Sequence, residues 1–258
     1  MGGFLEGFAV LLRKELREQW RTSRLPVVAL IFFVFGLLSP LAAYYAPEIV
    51  KKAGGDIQVT LPTPTVKDAV AQFLSNLDPL GPFAANLLGM GEVARERERG
   101  TAAFVLTKPV TRSAFLLAKF VALMATLGFS VLMYTIAAYF YTTVLFTNLP
   151  VGGFVASAAL ALLAIAVFAS LTFLASSIVR SALAAGGIGL AAYILLSILS
   201  ALPRLGRFTP GGLVDPARTL ALGHGVHGLW GPLTANLLLV CFAVVAAWLV
   251  FRGQEIEG

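Results

Sequence analysis

The sequence is poor in the residues that keep a soluble protein in water. Charged residues make up 12% of the 258 residues, against about 25% in an ordinary soluble domain. Hydrophobic residues make up 58%, and the mean hydropathy is +0.86. So little charge could hardly cover the surface of a soluble fold. The composition therefore excludes a water-soluble domain and predicts an integral membrane protein.

Cysteine and histidine are also scarce. The single Cys241 excludes a disulfide framework and any multi-cysteine metal site. The only two histidines, His224 and His227, form a His-x-x-His near Asp215 in a glycine-rich stretch. They are a weak metal-site candidate, because zinc or copper needs further ligands in a fixed geometry. The spans carry no histidine and no G-x-S-x-G motif, which argues against an intramembrane hydrolase or protease.

Apolar runs long enough to cross a bilayer recur along the chain. Five are clear, whereas the run 73–94 contains Asp78, Pro79 and Pro82 and is predicted to be irregular and shielded by neighbouring helices. The six predicted spans are 25–46, 73–94, 114–145, 151–179, 182–202 and 233–251. The predicted fold class is all-α, an integral membrane bundle of six transmembrane helices in a single domain, 1–258.

The basic residues support the sixth span. With that span, both termini face the cytosol, and the cytosolic side holds 13 of the 19 lysines and arginines against 6 outside. Without it, 8 lie inside and 11 outside, which violates the positive-inside bias. The net charge of +6 thus indicates orientation in a membrane, and no nucleic-acid partner is expected.

Two flanking segments are predicted to lie along the membrane surface. Residues 4–23 are predicted to form an amphipathic helix in the headgroup plane, or else a simple cytosolic extension of the first span. Its apolar residues recur every four positions, at Phe4, Phe8, Leu12, Leu16 and Trp20. The segment 203–232 between spans five and six is rich in glycine and proline yet partly apolar, and it is predicted to form short re-entrant or interfacial helices.

The segment 96–113 between spans two and three is the most informative part of the chain. Charged residues surround a short apolar helix candidate at 102–107. Thr101 is expected to cap this helix and Ser113 to cap span three, while Pro109 cannot continue the short helix. An ordinary positive-inside loop would explain the arginines of this segment, but not its glutamates or its apolar centre.

Two residues inside the spans are weak candidates for a substrate pathway. Asp78 is either an intramembrane ion or proton group or, more simply, a helix cap at the membrane interface. Tyr134 either lines a cavity or belongs to an aromatic belt, and the belt is favoured.

The run Glu96-Arg97-Glu98-Arg99-Gly100-Thr101, with 106–112 (LTKPVTR) and 115–119 (FLLAK), resembles the signature of ABC-transporter permeases of the type-2, or export, class. The opening stretch 12–16 (LRKEL) resembles the amphipathic elbow helix of that family. The resemblance implies a prokaryotic inner-membrane permease. It implies two partners, a cytosolic ABC ATPase present in two copies and a second permease copy or paralogue. Residues 102–107 would be the coupling helix, seated in a cleft of the ATPase.

The resemblance also implies a set of ATPase-coupling residues. They are Glu96, Arg97, Glu98, Arg99, Gly100, Thr101, Phe104, Pro109 and Arg112. The charged residues at 96–99 would contact the ATPase or the elbow helix, and Arg112 would anchor span three.

The chain is not expected to be an enzyme or to hold a cofactor. None of its six lysines completes the phosphate-binding pattern G-x-x-x-x-G-K-[ST], so ATP and Mg would be bound by the partner ATPase. An ion-gradient-driven secondary transporter or a channel is the alternative function. The sequence leaves open the substrate, which is lipid-like, a drug, a peptide or an ion, and the choice between homodimer and heterodimer.

Overall fold

The computed structural model describes residues 2–53, 63–98 and 111–253, and these are almost entirely helical. The long helices are α1 (Gly2–Arg21), α2 (Arg24–Ala53), α3 (Val66–Gly89), α5 (Arg112–Leu145), α6 (Val151–Ile178), α7 (Ala182–Ser200) and α9 (Trp230–Gly253). The short elements are α4 (Ala94–Glu98), the 3-10 turns η1 (Gly206–Phe208) and η2 (Pro210–Leu213), and α8 (Val214–Ala221). The predicted all-α fold class is confirmed.

Five of the described helices are long and apolar enough to cross a membrane, namely α2, α5, α6, α7 and α9. Each coincides with one of the clear apolar runs of the sequence, so the protein is an integral membrane protein. Helix α3 has 24 residues but is more polar than these five. The count of six spans therefore stays a prediction that depends on α3.

Helix α3 corrects the predicted second span. It begins at Val66 and ends at Gly89, where 73–94 was predicted. The Asp68 carboxylate accepts hydrogen bonds of 2.7 Å from the backbone N–H and the hydroxyl of Thr65, which fixes this start. Asp78 is therefore an interior residue of α3, and its predicted role as a helix cap is wrong.

Two prolines lie inside α3 without ending it. Pro79 and Pro82 each remove a backbone donor, yet α3 continues past both. This stretch packs tightly on α6, because a Cβ added at Gly81 would overlap the side chain of Ile165. Such packing against neighbouring helices is what allows a proline-containing helix inside a bundle.

The short elements lie at opposite ends of the bundle. Helices α1 and α4 lie at one end, called the α1 end below, where α2 and α5 begin and α3 and α6 end. The turns η1 and η2 and helix α8 lie at the opposite end, where α8 packs against α6. These are the short helices expected between spans five and six.

Tyr134 of α5 connects three helices. It is fully buried, and its hydroxyl donates to the carbonyl oxygen of Phe73 in α3 at 2.7 Å and lies 2.8 Å from Ser39 Oγ in α2. The aromatic-belt interpretation of Tyr134 is therefore wrong, because a belt residue faces the membrane surface. Its position is that of a packing residue between α2, α3 and α5.

The most extensive contact among the described helices is that of α2 with α5. Gly36 of α2 sits directly on the α5 backbone, since a Cβ at this position would lie 2.5 Å from the carbonyl oxygen of Tyr134. Small residues permit such close backbone approach between membrane helices. This glycine therefore sets the distance between α2 and α5.

We expect Gly36→Ala to lower the free energy of unfolding by about 1–3 kcal/mol, because the added methyl group forces the two helices apart. The measurement is thermal unfolding of the purified protein in detergent. Gly187→Ala in α7 is the matched control, since a Cβ there meets no atom within 4 Å. An equal effect of the two substitutions would contradict the packing role of Gly36.

Candidate coupling site

The α1 end of the bundle contains a buried ion-pair cluster built around Lys119 of α5. The Lys119 ammonium lies 2.8 Å from Glu96 Oε1 in α4 and 3.2 Å from Glu15 Oε2 in α1. The side chains of Lys119 and Glu15 are only 4% and 5% exposed. Lys14 adds a half-exposed cation 3.1 Å from Glu15 and 3.9 Å from Glu96. We call Lys14, Glu15, Glu96 and Lys119 the junction cluster.

The amphipathic helix α1 supplies its part of the cluster from one face. Leu11, Glu15 and Gln19 follow each other at four-residue intervals, and all three are buried against the bundle. This buried face is next to the apolar stripe predicted from the sequence, whose Trp20 is 63% exposed. Helix α1 thus turns one face towards the bundle, while the neighbouring apolar face is partly covered at Phe8 and Leu12 and exposed at Trp20.

Helix α4 is held by reciprocal capping with α6. Ser176 Oγ of α6 accepts hydrogen bonds from the backbone N–H groups of Val93 and Ala94 and donates to the carbonyl oxygen of Met90. In return, Arg97 donates to the carbonyl oxygen of Ser177 at 3.0 Å, at the end of α6. Each helix therefore satisfies terminal backbone groups of the other. Helix α4 needs this support, because isolated helices shorter than about 12–15 residues are marginally stable in water.

Glu92 lies beside the junction cluster in the turn between α3 and α4. Its side chain is buried, and it accepts a hydrogen bond of 3.2 Å from Gln19 Nε2. Burial raises the pKa of the Glu92 carboxyl to about 7, because the charged form is costly to desolvate. The Lys119 ammonium opposes this shift of the pKa without cancelling it, and the neighbouring Glu15 carboxylate adds to the shift.

The start of α5 is fixed by two further interactions. Thr111 Oγ1 accepts a hydrogen bond from the backbone N–H of Ala114, so Thr111 is the N-cap. The prediction that Ser113 caps this span is wrong, because Ser113 lies inside the first turn and donates to Thr111. Arg112 donates to the carbonyl oxygen of Arg252 at 3.0 Å and so connects α5 to the end of α9.

Comparison with known proteins identifies the family to which this chain belongs. A model of the ABC-2 family transporter proteins matches residues 9–206, about three quarters of the chain. The chain belongs to the ABC-2 transporter family. Membrane proteins of the ABC-2 family are transport subunits and are generally not enzymes themselves. The match includes most of α1, the junction cluster and the whole of α2 to α7.

A curated relative has the same extent. It is the uncharacterized transmembrane protein YxlG of Bacillus subtilis (strain 168), 28% identical over 256 residues, which are 96% of this chain and 97% of that protein. That relative is likewise a transmembrane protein, and its name indicates no substrate or partner.

The structure places four of the predicted coupling residues of this ABC-2 protein. Glu96 belongs to the junction cluster, Arg97 binds the end of α6, Glu98 is exposed at the last residue of α4, and Arg112 binds the end of α9. The other five predictions lie outside the described residues. These are Arg99, Gly100, Thr101, Phe104 and Pro109.

The weaker candidates lie away from the junction cluster. Asp78 faces a cavity lined also by Ile165 and Ala217, towards the opposite end of the bundle. His224 and His227 are exposed in the segment between α8 and α9. In the described ranges no three histidine, cysteine, aspartate or glutamate side chains come together as a metal site would need.

Sequence reasoning missed Glu15 and Gln19, and also Lys14, Glu92 and Lys119, as members of this site. A signal for the first two exists, because they continue the four-residue spacing of Leu11 along α1. Polar residues on the buried stripe of an amphipathic helix require partners in the protein. Nothing in the sequence says that these partners come from α5 and from the turn after α3.

We expect Lys119→Met to lower the free energy of unfolding by about 3–5 kcal/mol, because Glu15 and Glu96 lose the cation between them. The measurement is thermal unfolding of the full chain in detergent. Adding Glu15→Gln to Lys119→Met should recover part of the loss, since one buried charge is then removed.

The matched control is Lys14→Met, which removes a cation that is 46% exposed. Exposed ion pairs contribute about 0–1 kcal/mol, so this variant should stay near the wild type. A Lys119→Met variant as stable as Lys14→Met would contradict a central role for Lys119.

The raised pKa of Glu92 predicts a pH dependence. The carboxyl holds its proton more tightly in the folded protein than in the unfolded chain, where the pKa is about 4.5. Its contribution to stability is therefore full below pH 4.5 and is lost as the pH rises through 7. Relative to Glu92→Gln, the wild type should lose up to about 3 kcal/mol of unfolding free energy over this range. Unfolding of both proteins from pH 4.5 to 8 measures the difference, and a constant difference would refute the assignment.

Proposed function

We propose that this chain is the membrane-spanning subunit of an ATP-driven exporter and that a separate cytosolic ABC ATPase supplies the energy. Membership in the ABC-2 family and the missing phosphate-binding motif support this division of labour. ATP and Mg belong to the ATPase partner, which is present in two copies. The observation that carries the proposal is the junction cluster, because it connects Glu96, at the entrance of the segment 96–113, to α1 and α5. We call this segment the coupling segment.

The proposed topology has six spans and both termini in the cytosol of a prokaryotic cell, with α3 as the second span. The balance of 13 basic residues inside against 6 outside supports it. In this orientation the α1 end faces the cytosol, and α1 lies at the inner surface of the membrane as the elbow helix. Helix α4, which immediately precedes the segment 99–110 in the sequence, then lies on the side of the ATPase.

Several side-chain contacts would transmit a force on the coupling segment to the helices of the bundle. At its entrance, Glu96 reaches α1 and α5 through Lys14 and Lys119, while Arg97 reaches α6. At its exit, Arg112 reaches the end of α9. A push by the closing ATPase would therefore act on four helices at once. This arrangement suits a rigid-body movement of the bundle that switches access from one side of the membrane to the other.

A second permease copy is proposed to cover the open side of α3. A groove of about 390 Å³ runs between α2, α3 and α7 and is lined by Phe35, Asn76, Phe83, Asn86 and Tyr193 among others. Phe83 is 60% exposed beside the two asparagines. A helix with amides and prolines near an open face is poorly suited to lipid. Two such grooves facing each other would enclose an apolar pathway, which fits a lipid-like, drug or peptide substrate better than an ion.

The test is affinity purification of the chain from its native membranes in mild detergent, followed by mass measurement of the complex. We expect an ABC ATPase in equal amount and a mass that fits two permeases and two ATPases. Glu98→Arg and Ala102→Asp should reduce the recovered ATPase at least about tenfold, because they reverse or insert a charge at the proposed contact.

The matched control is Glu48→Arg, which makes the same charge change on an exposed residue near the opposite end of α2. It should recover as much ATPase as the wild type. Absence of any ATPase from folded wild-type protein would contradict the proposal, and transport driven by an ion gradient would then be tested through Asp78.

A further inference from the structure

A polar cavity of about 270 Å³ opens beside the junction cluster, between α1, the start of α2, the turn before α4, and α5. Its lining carries charges of both signs and almost no apolar side chain. The lining residues are Lys14, Glu15, Glu18, Gln19, Arg24, Gly91, Glu92, Arg95, Glu96 and Lys119. The proposed coupling role involves Lys14, Glu15, Glu96 and Lys119. It does not involve the other charged and amide residues that line this cavity.

The deep wall of the cavity presents two buried acceptor groups, Gln19 and Glu92, and one of their oxygens has no donor among the described residues. The side chain of Gln19 is only 3% exposed, and its Oε1 has no hydrogen-bond partner among the described residues. Glu92 is equally enclosed, at 4% exposure, and receives one hydrogen bond from Gln19. A buried acceptor without a donor costs free energy. A primary ammonium group, with three N–H donors and a positive charge, satisfies both residues at once.

The shallower wall presents two cations without a close ion pair in the described ranges, although Arg24 interacts electrostatically with Glu92. Arg24 and Arg95 are half-buried and line the cavity, and neither side chain forms an ion pair or hydrogen bond with another residue in the described ranges. Guanidinium groups bind phosphate oxygens with paired N–H donors. The cavity therefore offers an ammonium site at depth and a phosphate site nearer its opening.

The surroundings of the cavity point to a lipid as the source of these groups. Trp20 and Val10 of α1 are 63% and 70% exposed and lie on the helix that forms one wall. Exposed tryptophan on an amphipathic helix is typical of the membrane interface. Lipid headgroups are the phosphates present at that depth, and charged pockets between membrane helices bind them.

We propose that this cavity binds the headgroup of an aminophospholipid, with the ammonium on Glu92 and Gln19 and the phosphate on Arg24 and Arg95. Phosphatidylethanolamine carries both groups. Phosphatidylcholine has no N–H donor, and phosphatidylglycerol has no ammonium group. Neither lipid can therefore donate hydrogen bonds from an ammonium group to Glu92 and Gln19. The bound headgroup would connect α1 to the turn between α3 and α4. This site does not depend on the proposed ATPase coupling.

The experiment is lipid binding to the full chain purified in detergent, measured by native mass spectrometry. The probes are phosphatidylethanolamine, phosphatidylcholine and phosphatidylglycerol with identical acyl chains. We expect phosphatidylethanolamine to bind at least about tenfold more tightly than the other two. Arg95→Gln should lower its affinity about tenfold without changing the unfolding temperature of lipid-free protein, because Arg95 has no ion pair or hydrogen bond with the other described residues. Glu92→Gln should remove the preference for phosphatidylethanolamine over phosphatidylglycerol.

The matched control is Arg17→Gln, which removes an exposed arginine of α1 outside the cavity. It should bind lipid as the wild type does, and so should Glu98→Arg, which tests only the ATPase contact. Equal binding of the three lipids, or equal effects of Arg95→Gln and Arg17→Gln, would overturn the site. Displacement of the lipid by an equal concentration of free phosphoethanolamine would assign the cavity to a soluble compound and overturn the lipid.

Discussion

The ammonium group of Lys119 is the constraint on which the α1 end of the bundle depends. It lies seven residues into α5 and is nearly fully buried, where a charge without a counter-charge is not tolerated. The carboxylates that compensate it come from Glu15 and Glu96, far away in the sequence. Satisfying this single cation therefore fixes α1 and α4 against α5, and it also places the turn that carries Glu92.

Hydrogen bonds to backbone groups at the ends of α4 and α6 also hold the α1 end of the bundle together. A five-residue helix such as α4 has no stability of its own, and it persists because Ser176 caps its start. Arg97 returns the interaction at the end of α6. Charge pairing and capping together make α4 an integral part of the bundle.

Hydropathy alone predicted the five apolar helices, because a run of about 20 apolar residues has few other solutions in a membrane. Hydropathy was less informative for α3, because Asp78, Pro79 and Pro82 predict an irregular span there. The helix is continuous, since α6 packs closely against Gly81 and the true start lies at the Thr65–Asp68 cap. Tyr134 was misplaced for a related reason, because its partners Ser39 and Phe73 lie on helices that only the fold brings beside it.

The sequence by itself determined that the protein is a helical membrane protein of the ABC-2 type, since composition, apolar run length and the motif around Glu96 are local properties of the chain. Only the tertiary structure decided which polar residues meet. Glu15, Gln19, Glu92 and Lys119 are separated by up to about a hundred positions, and they form one site because buried charges and amides must find partners inside the protein. Their pairing is a property of helix packing, which no local pattern encodes.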